Sequence, residues 1–161
     1  MTAENVQPPR DIRSDAEAGA YLDELLAYAA RIGASDLHVT VPSPPVFRVE
    51  GRLAAQADLP SVTPSLASAM FARIATKAQQ AAFERDLELD FSYALSGVAR
   101  FRVSVLQQRG SISLVFRRVP FDVPSLDEMG LPPICKDFVV QPRGLILITG
   151  ACGSGKSTTL A

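Results

Sequence analysis

The spacing of apolar positions changes along the chain, and each change marks an element. From residue 15 to about 32 the spacing is helical, with Tyr21, Leu22, Leu25, Leu26, Tyr28, Ala29 and Ile32 on one face. Asp15 can cap this helix and Gly33 can end it. From Asp36 to Val41 polar and apolar residues alternate, as in a half-buried strand. The turn Pro42 to Pro45 leads into a second strand, Val46 to Glu50, so the two read as a hairpin with a long turn. Helical spacing returns from 64 to about 85 and breaks near Thr76. Three more strands are predicted at 88–94, 98–107 and 111–119. A Pro-containing connector follows, with short helices at Ser125–Met129 and Ile134–Val140. Leu145 to Ile148 reads as a strand that is apolar on both faces.

These elements predict an α+β organisation. A loose lead-in covers 1–14, an α+β domain 15–120, a connector 121–142, and the first β-loop-α piece of a P-loop domain 143–161.

The last segment carries the clearest chemistry. Gly150-Ala151-Cys152-Gly153-Ser154-Gly155-Lys156-Ser157 fits the pattern G-x-x-x-x-G-K-[ST], with an apolar run before it and Thr158 opening a helix after it. Glycines remove side chains so that backbone N–H groups can wrap a phosphate, and the helix start adds partial positive charge. The motif assigns Lys156 to the β- and γ-phosphates of ATP and Ser157 to Mg2+. The groups that complete such a site come from later strands, so the chain reads as the front of a longer protein cut one turn into its catalytic domain.

A second constellation lies between Phe91 and Phe121, where there is no acidic residue but five arginines: Arg100, Arg102, Arg109, Arg117 and Arg118. Pairing the apolar faces of the last two strands puts Arg102 and Arg117 on one polar face. Like charges facing across a sheet need a counter-ion. The acidic stretch Glu84, Asp86, Glu88 and Asp90 is one candidate, a nucleotide phosphate is a second, and nucleic acid is a third. His38, the only histidine, falls beside Asp36 on the polar side of its strand and reads as a hydrogen-bonded structural residue.

Composition narrows the partners. A net charge of −1 and the absence of Trp speak against nucleic acid. Cys135 and Cys152 have no metal or redox spacing, which fits reduced thiols and a cytoplasmic setting. Neither a signal peptide nor a transmembrane segment is predicted.

Several stretches together resemble the PilT-type ATPases that retract type IV pili, within the secretion-ATPase superfamily. They are Gly33-Ala34-Ser35-Asp36-Leu37-His38, Asp90-Phe91-Ser92, Gly97 to Val103, Gln108-Arg109-Gly110, Phe116-Arg117, Leu126 to Pro132, and Arg143 to Leu160. The likeness runs from about Leu22 to Ala161. It implies a PAS-like N-terminal domain up to about residue 120 and the start of a RecA-like motor domain. It further implies a homo-hexameric ring on the pilus machine, at the cytoplasmic face of the inner membrane, that couples ATP hydrolysis to pilus retraction and twitching motility. By the same resemblance, Arg102 and Arg117 join Lys156 as catalytic candidates that approach the nucleotide, and Cys152 stands where the family usually has Thr. The short lead-in favours the retraction branch over assembly and type II secretion ATPases, with a PilU-like accessory motor also open. The alternatives are a non-enzymatic subunit-interaction module and an unrelated P-loop kinase. The 161 residues alone are expected to be inactive.

Overall fold

The computed structural model describes residues 17–119, 125–151 and 154–160. They form two compact units, 17–119 and 125–160.

The first unit is built on three helices and six strands. Helix α1 spans Ala18–Arg31. Its N-cap is Glu17, which makes no side-chain capping bond, and Asp15 lies outside the described residues. Its C-terminal end is a Schellman turn. Gly33, at φ 70°, donates to Ala30 O at 3.3 Å, and Ala34 donates to Ala29 O at 2.9 Å. The predicted helix over 64–85 is two helices, α2 (Pro64–Ile74) and α3 (Lys77–Asp86). Thr76 separates them because it caps α3. Its hydroxyl accepts from Gln79 N at 3.3 Å, and its N–H donates to Gln79 Oε1 at 2.8 Å.

The strands are β1 (Asp36–Val39), β2 (Val46–Val49), β3 (Arg52–Ala55), β4 (Glu88–Leu95), β5 (Ala99–Gln108) and β6 (Ser111–Val119). They form one antiparallel sheet in the order β3-β2-β1-β6-β5-β4. Strand β3 is absent from the sequence-based prediction because all four of its residues are exposed, so burial writes no alternation into it. Its signal is the two-residue turn Glu50-Gly51, both at positive φ, which suits a tight hairpin. Arg109-Gly110 makes the same kind of turn between β5 and β6.

One face of the sheet is dry. Leu37, Val39, Phe47, Phe101, Val103, Val105, Leu114 and Phe116 are buried there, together with the apolar faces of α1 and α2. Tyr28 meets Phe47 edge-on at 5.3 Å between ring centroids, and Phe101 meets Phe116 edge-on at 6.5 Å. The opposite face carries the charged alternates of the same strands.

The second unit begins with a turn, where a helix over Ser125–Met129 was predicted. Ser125 and Glu128 cap each other, but among the described residues the turn's only i→i−4 bond is Met129 N to Ser125 O at 3.0 Å. Gly130, at φ 64°, stops it. Helix α4 spans Ile134–Val139 and α5 spans Lys156–Leu160. Residues 144–150 form no strand, contrary to the expected β-loop-α piece. A strand needs a neighbour's backbone, and no described residue supplies one, so Leu145 and Leu147 stay 82% and 74% exposed. Leu126, Phe138, Ile146 and Leu160 line an apolar groove of about 560 Å³ in this unit. No helix among the described residues is long and apolar enough to cross a membrane.

Phe116, fully buried on β6, anchors the first core. Phe116→Ala should destabilise the first unit by about 3–5 kcal/mol, measured by urea unfolding. The exposed Leu53→Ala should change the midpoint little.

Candidate functional site

The phosphate-loop motif and the arginine face lie in different units, and each has its own geometry. In the second unit, the loop after residue 149 turns into α5. Gly155 takes φ 85°, which a residue with a Cβ rarely adopts. At Gly150, φ 157°, a Cβ would fall 2.7 Å from Ser154 Oγ, so a larger residue there would have to displace that hydroxyl. Thr159 N makes the first bond of α5, to Gly155 O at 2.9 Å. The amides before Thr159 have no intrahelical acceptor and can serve an anion. Lys156 folds back over the loop, donating to Gly150 O at 2.9 Å and Ala151 O at 2.6 Å. Its ammonium therefore sits within the turn, while Ser154, Ser157 and Thr158 are exposed beside it. Cys152 and Gly153 lie outside the described residues. Glycines where the backbone turns, a lysine held over the loop and open amides fit a phosphate.

In the first unit the arginines stand as their alternation implies. Arg102 and Arg117 are directly opposite each other across β5 and β6. Each has a carboxylate. Arg102 Nη2 donates to Asp90 Oδ2 at 2.7 Å, and Ser104 also donates to Asp90. This partner belongs to the acidic stretch considered from the sequence. Both groups are more than half exposed, so the pair contributes little to stability.

Arg117 has a partner that sequence reasoning did not find. Its Nε donates to Asp36 Oδ1 at 2.9 Å, and β1 lies directly beside β6. Asp36 also accepts from Ser35 Oγ at 2.8 Å and contacts Arg48 Nε of β2 at 3.2 Å. Asp36 is only 5% exposed. Burial pushes its carboxyl up, but the hydrogen bonds from Arg117 and Ser35 and the charges of Arg117 and Arg48 outweigh this and hold it below the usual value. The β1–β6 register that makes this pair is a tertiary fact, and no local pattern reports it.

His38 lies two residues along β1 on the same face. Its Nε2 is buried without a hydrogen-bond partner among the described residues, which corrects the expected hydrogen-bonded histidine. Burial lowers its pKa, Asp36 opposes that, and Arg48 and Arg117 reinforce it.

The lysine-bearing glycine turn of the second unit has the pattern of a phosphate-binding loop, and likeness to known proteins shows the family. Residues 12–161 match the family described as Type II/IV secretion system protein, and the chain belongs to that family. It is 43% identical over 140 residues to the "Type IV pilus retractation ATPase PilT" of Pseudomonas aeruginosa, covering 87% of this chain and 40% of that protein. It is 34% identical to the "Type IV pilus ATPase PilU" of the same organism, covering 86% and 36%. A crystal structure of the pilus retraction motor PilT with bound ADP superimposes with a TM-score of 0.77 at 34% identity, covering 86% and 40%. The chain thus spans about two fifths of the length of these relatives.

His38 gives the first unit a defined acid response. The unfolded chain takes up a proton at His38 near pH 6.5, whereas the folded chain does so only at lower pH. The unfolded state then binds more protons, so stability should fall as pH drops below about 6.5. Urea midpoints measured between pH 7 and pH 5 should decline for the native chain and decline less for His38→Gln.

Proposed function

We propose that this chain is the front portion of a hexameric motor ATPase that couples ATP hydrolysis to type IV pilus retraction and twitching motility. The observation that carries the reading is the phosphate-loop geometry, Lys156 over Gly150 and Ala151 at the start of α5, in a chain this similar to PilT. On this reading residues 15–120 are a PAS-like N-terminal domain, 121–142 a connector, and 143–161 the opening of a RecA-like P-loop domain. The intact protein is cytoplasmic and meets the inner membrane only through the pilus machine.

The roles follow from the chemistry. The backbone of Gly150 to Thr158, including Cys152, Gly153 and Ser154, would cradle the phosphates of ATP. Lys156 would leave two neutral carbonyls for charged phosphate oxygens, a stronger acceptor. Ser157 would hold Mg2+, which spreads the phosphate charge when bound. Arg102 and Arg117 would supply positive charge to the transferring phosphoryl group, with Arg117 the better presented of the two. Support for Arg117 is its 70% exposed side chain and, among the described residues, one carboxylate contact, made through Nε.

In the intact protein, Lys156→Ala should abolish ATP turnover. Arg117→Ala should lower kcat strongly with the fold retained, since comparable arginines supply ~10³–10⁵ in rate. Arg117→Lys should rescue poorly, because an ammonium lacks the planar fork. The isolated 161-residue chain should not hydrolyse ATP above background. Lys156-dependent turnover by that chain would overturn the division of the motor at this point.

A further inference from the structure

The two facing arginines are held in different ways. Arg102 gives a terminal nitrogen, Nη2, to Asp90, so its carboxylate occupies the end of the side chain that would meet a phosphate. Asp90 is itself 52% exposed and free to yield. Arg117 gives only Nε, the nitrogen nearest its backbone, and neither Nη has a partner among the described residues. The carboxylate that takes Nε cannot swing away. Asp36 lies in β1, between β2 and β6, and is 5% exposed. Ser35 and Arg48 fix it further, and Arg48 is tied to its own hairpin by Nη1 donating to Gly51 O at 3.2 Å.

We infer that Asp36 is a positioning residue for Arg117: its buried carboxylate grips Nε, sets the plane of the guanidinium and leaves both Nη groups to take two oxygens of one phosphate. The inference rests on the reading that Arg117 reaches a nucleotide phosphate. It separates the two arginines: Arg117 presents its fork ready, whereas Arg102 must first release its terminal nitrogen from Asp90. A planar fork already held at one nitrogen loses less rotamer freedom when it binds.

The test is steady-state ATPase kinetics of the intact protein carrying Asp36→Asn, Arg117→Ala and both changes. Asp36→Asn should lower kcat roughly 10- to 100-fold, the scale of misplacing a reacting group. The double variant should match Arg117→Ala alone, because the two residues act as one unit. Normal kcat in Asp36→Asn with an impaired Arg117→Ala would overturn the positioning role and leave the phosphate reading standing. Multiplied losses in the double variant would also overturn it. Normal kcat in Arg117→Ala would remove the phosphate reading itself. A second measurement needs no activity: in the 161-residue chain the Arg117 Nε–H should exchange slowly by NMR and lose that protection in Asp36→Asn. Unchanged protection would refute the grip. If Asp36→Asn does not fold, Asp36→Glu takes its place in both experiments, with partial loss expected and wild-type behaviour contradicting the inference.

Discussion

A buried carboxylate at the meeting of three strands holds the charged face of the sheet together. Asp36 sits on β1, Arg48 on β2 and Arg117 on β6, and both guanidinium groups reach the same carboxylate. Burying a charge is costly unless it is paired and hydrogen-bonded, and Asp36 meets both conditions with two cations and Ser35. The backbone repeats the junction. Ser35 N donates to Arg48 O at 2.8 Å, and Arg118 N donates to Ser35 O at 2.9 Å. Strand β1 thereby joins the β2–β3 hairpin to the β4–β5–β6 meander. Because Asp36 pairs with Arg117 and Asp90 pairs with Arg102, the repulsion between two arginines facing each other across β5 and β6 is offset.

Much of this was legible in the chain wherever burial imposes a period. In β5 and β6 the alternation is clean, so the shared face of Arg102 and Arg117 followed from the apolar residues between them. Helix α1 and its glycine stop were equally plain. Local pattern failed where the cause is not local. Strand β3 is exposed on both faces and stands by backbone pairing with β2. The run Leu145–Ile148 has a strand's composition but no strand beside it among the described residues. Asp36 was read as a polar alternate on a half-buried strand, and only the fold brings Arg48 and Arg117 to it.

The loop of the second unit and the arginine face of the first unit each present positive charge, from different sources. In the loop, backbone amides and Lys156 gather positive potential where glycines let the chain turn. On the sheet, a guanidinium is held by a carboxylate at its inner nitrogen with its outer nitrogens free of described partners. Each group already has a protein partner, two backbone carbonyls for Lys156 and the Asp36 carboxylate for Arg117. The contacts that remain open are those a polyphosphate can use. The chain belongs to the secretion family over residues 12–161, a span that holds both the loop and the sheet.

The most direct test of the account is a structure of the intact protein with Mg2+ and a non-hydrolysable ATP analogue. The account predicts an Arg117 Nη within about 3 Å of a phosphate oxygen, as for charge-assisted hydrogen bonds, with Nε still on Asp36. It also predicts that Lys156 will have left the carbonyls of Gly150 and Ala151 for the phosphates. A fully occupied nucleotide with Lys156 still on those carbonyls, or with Arg117 turned away from every phosphate, would contradict it.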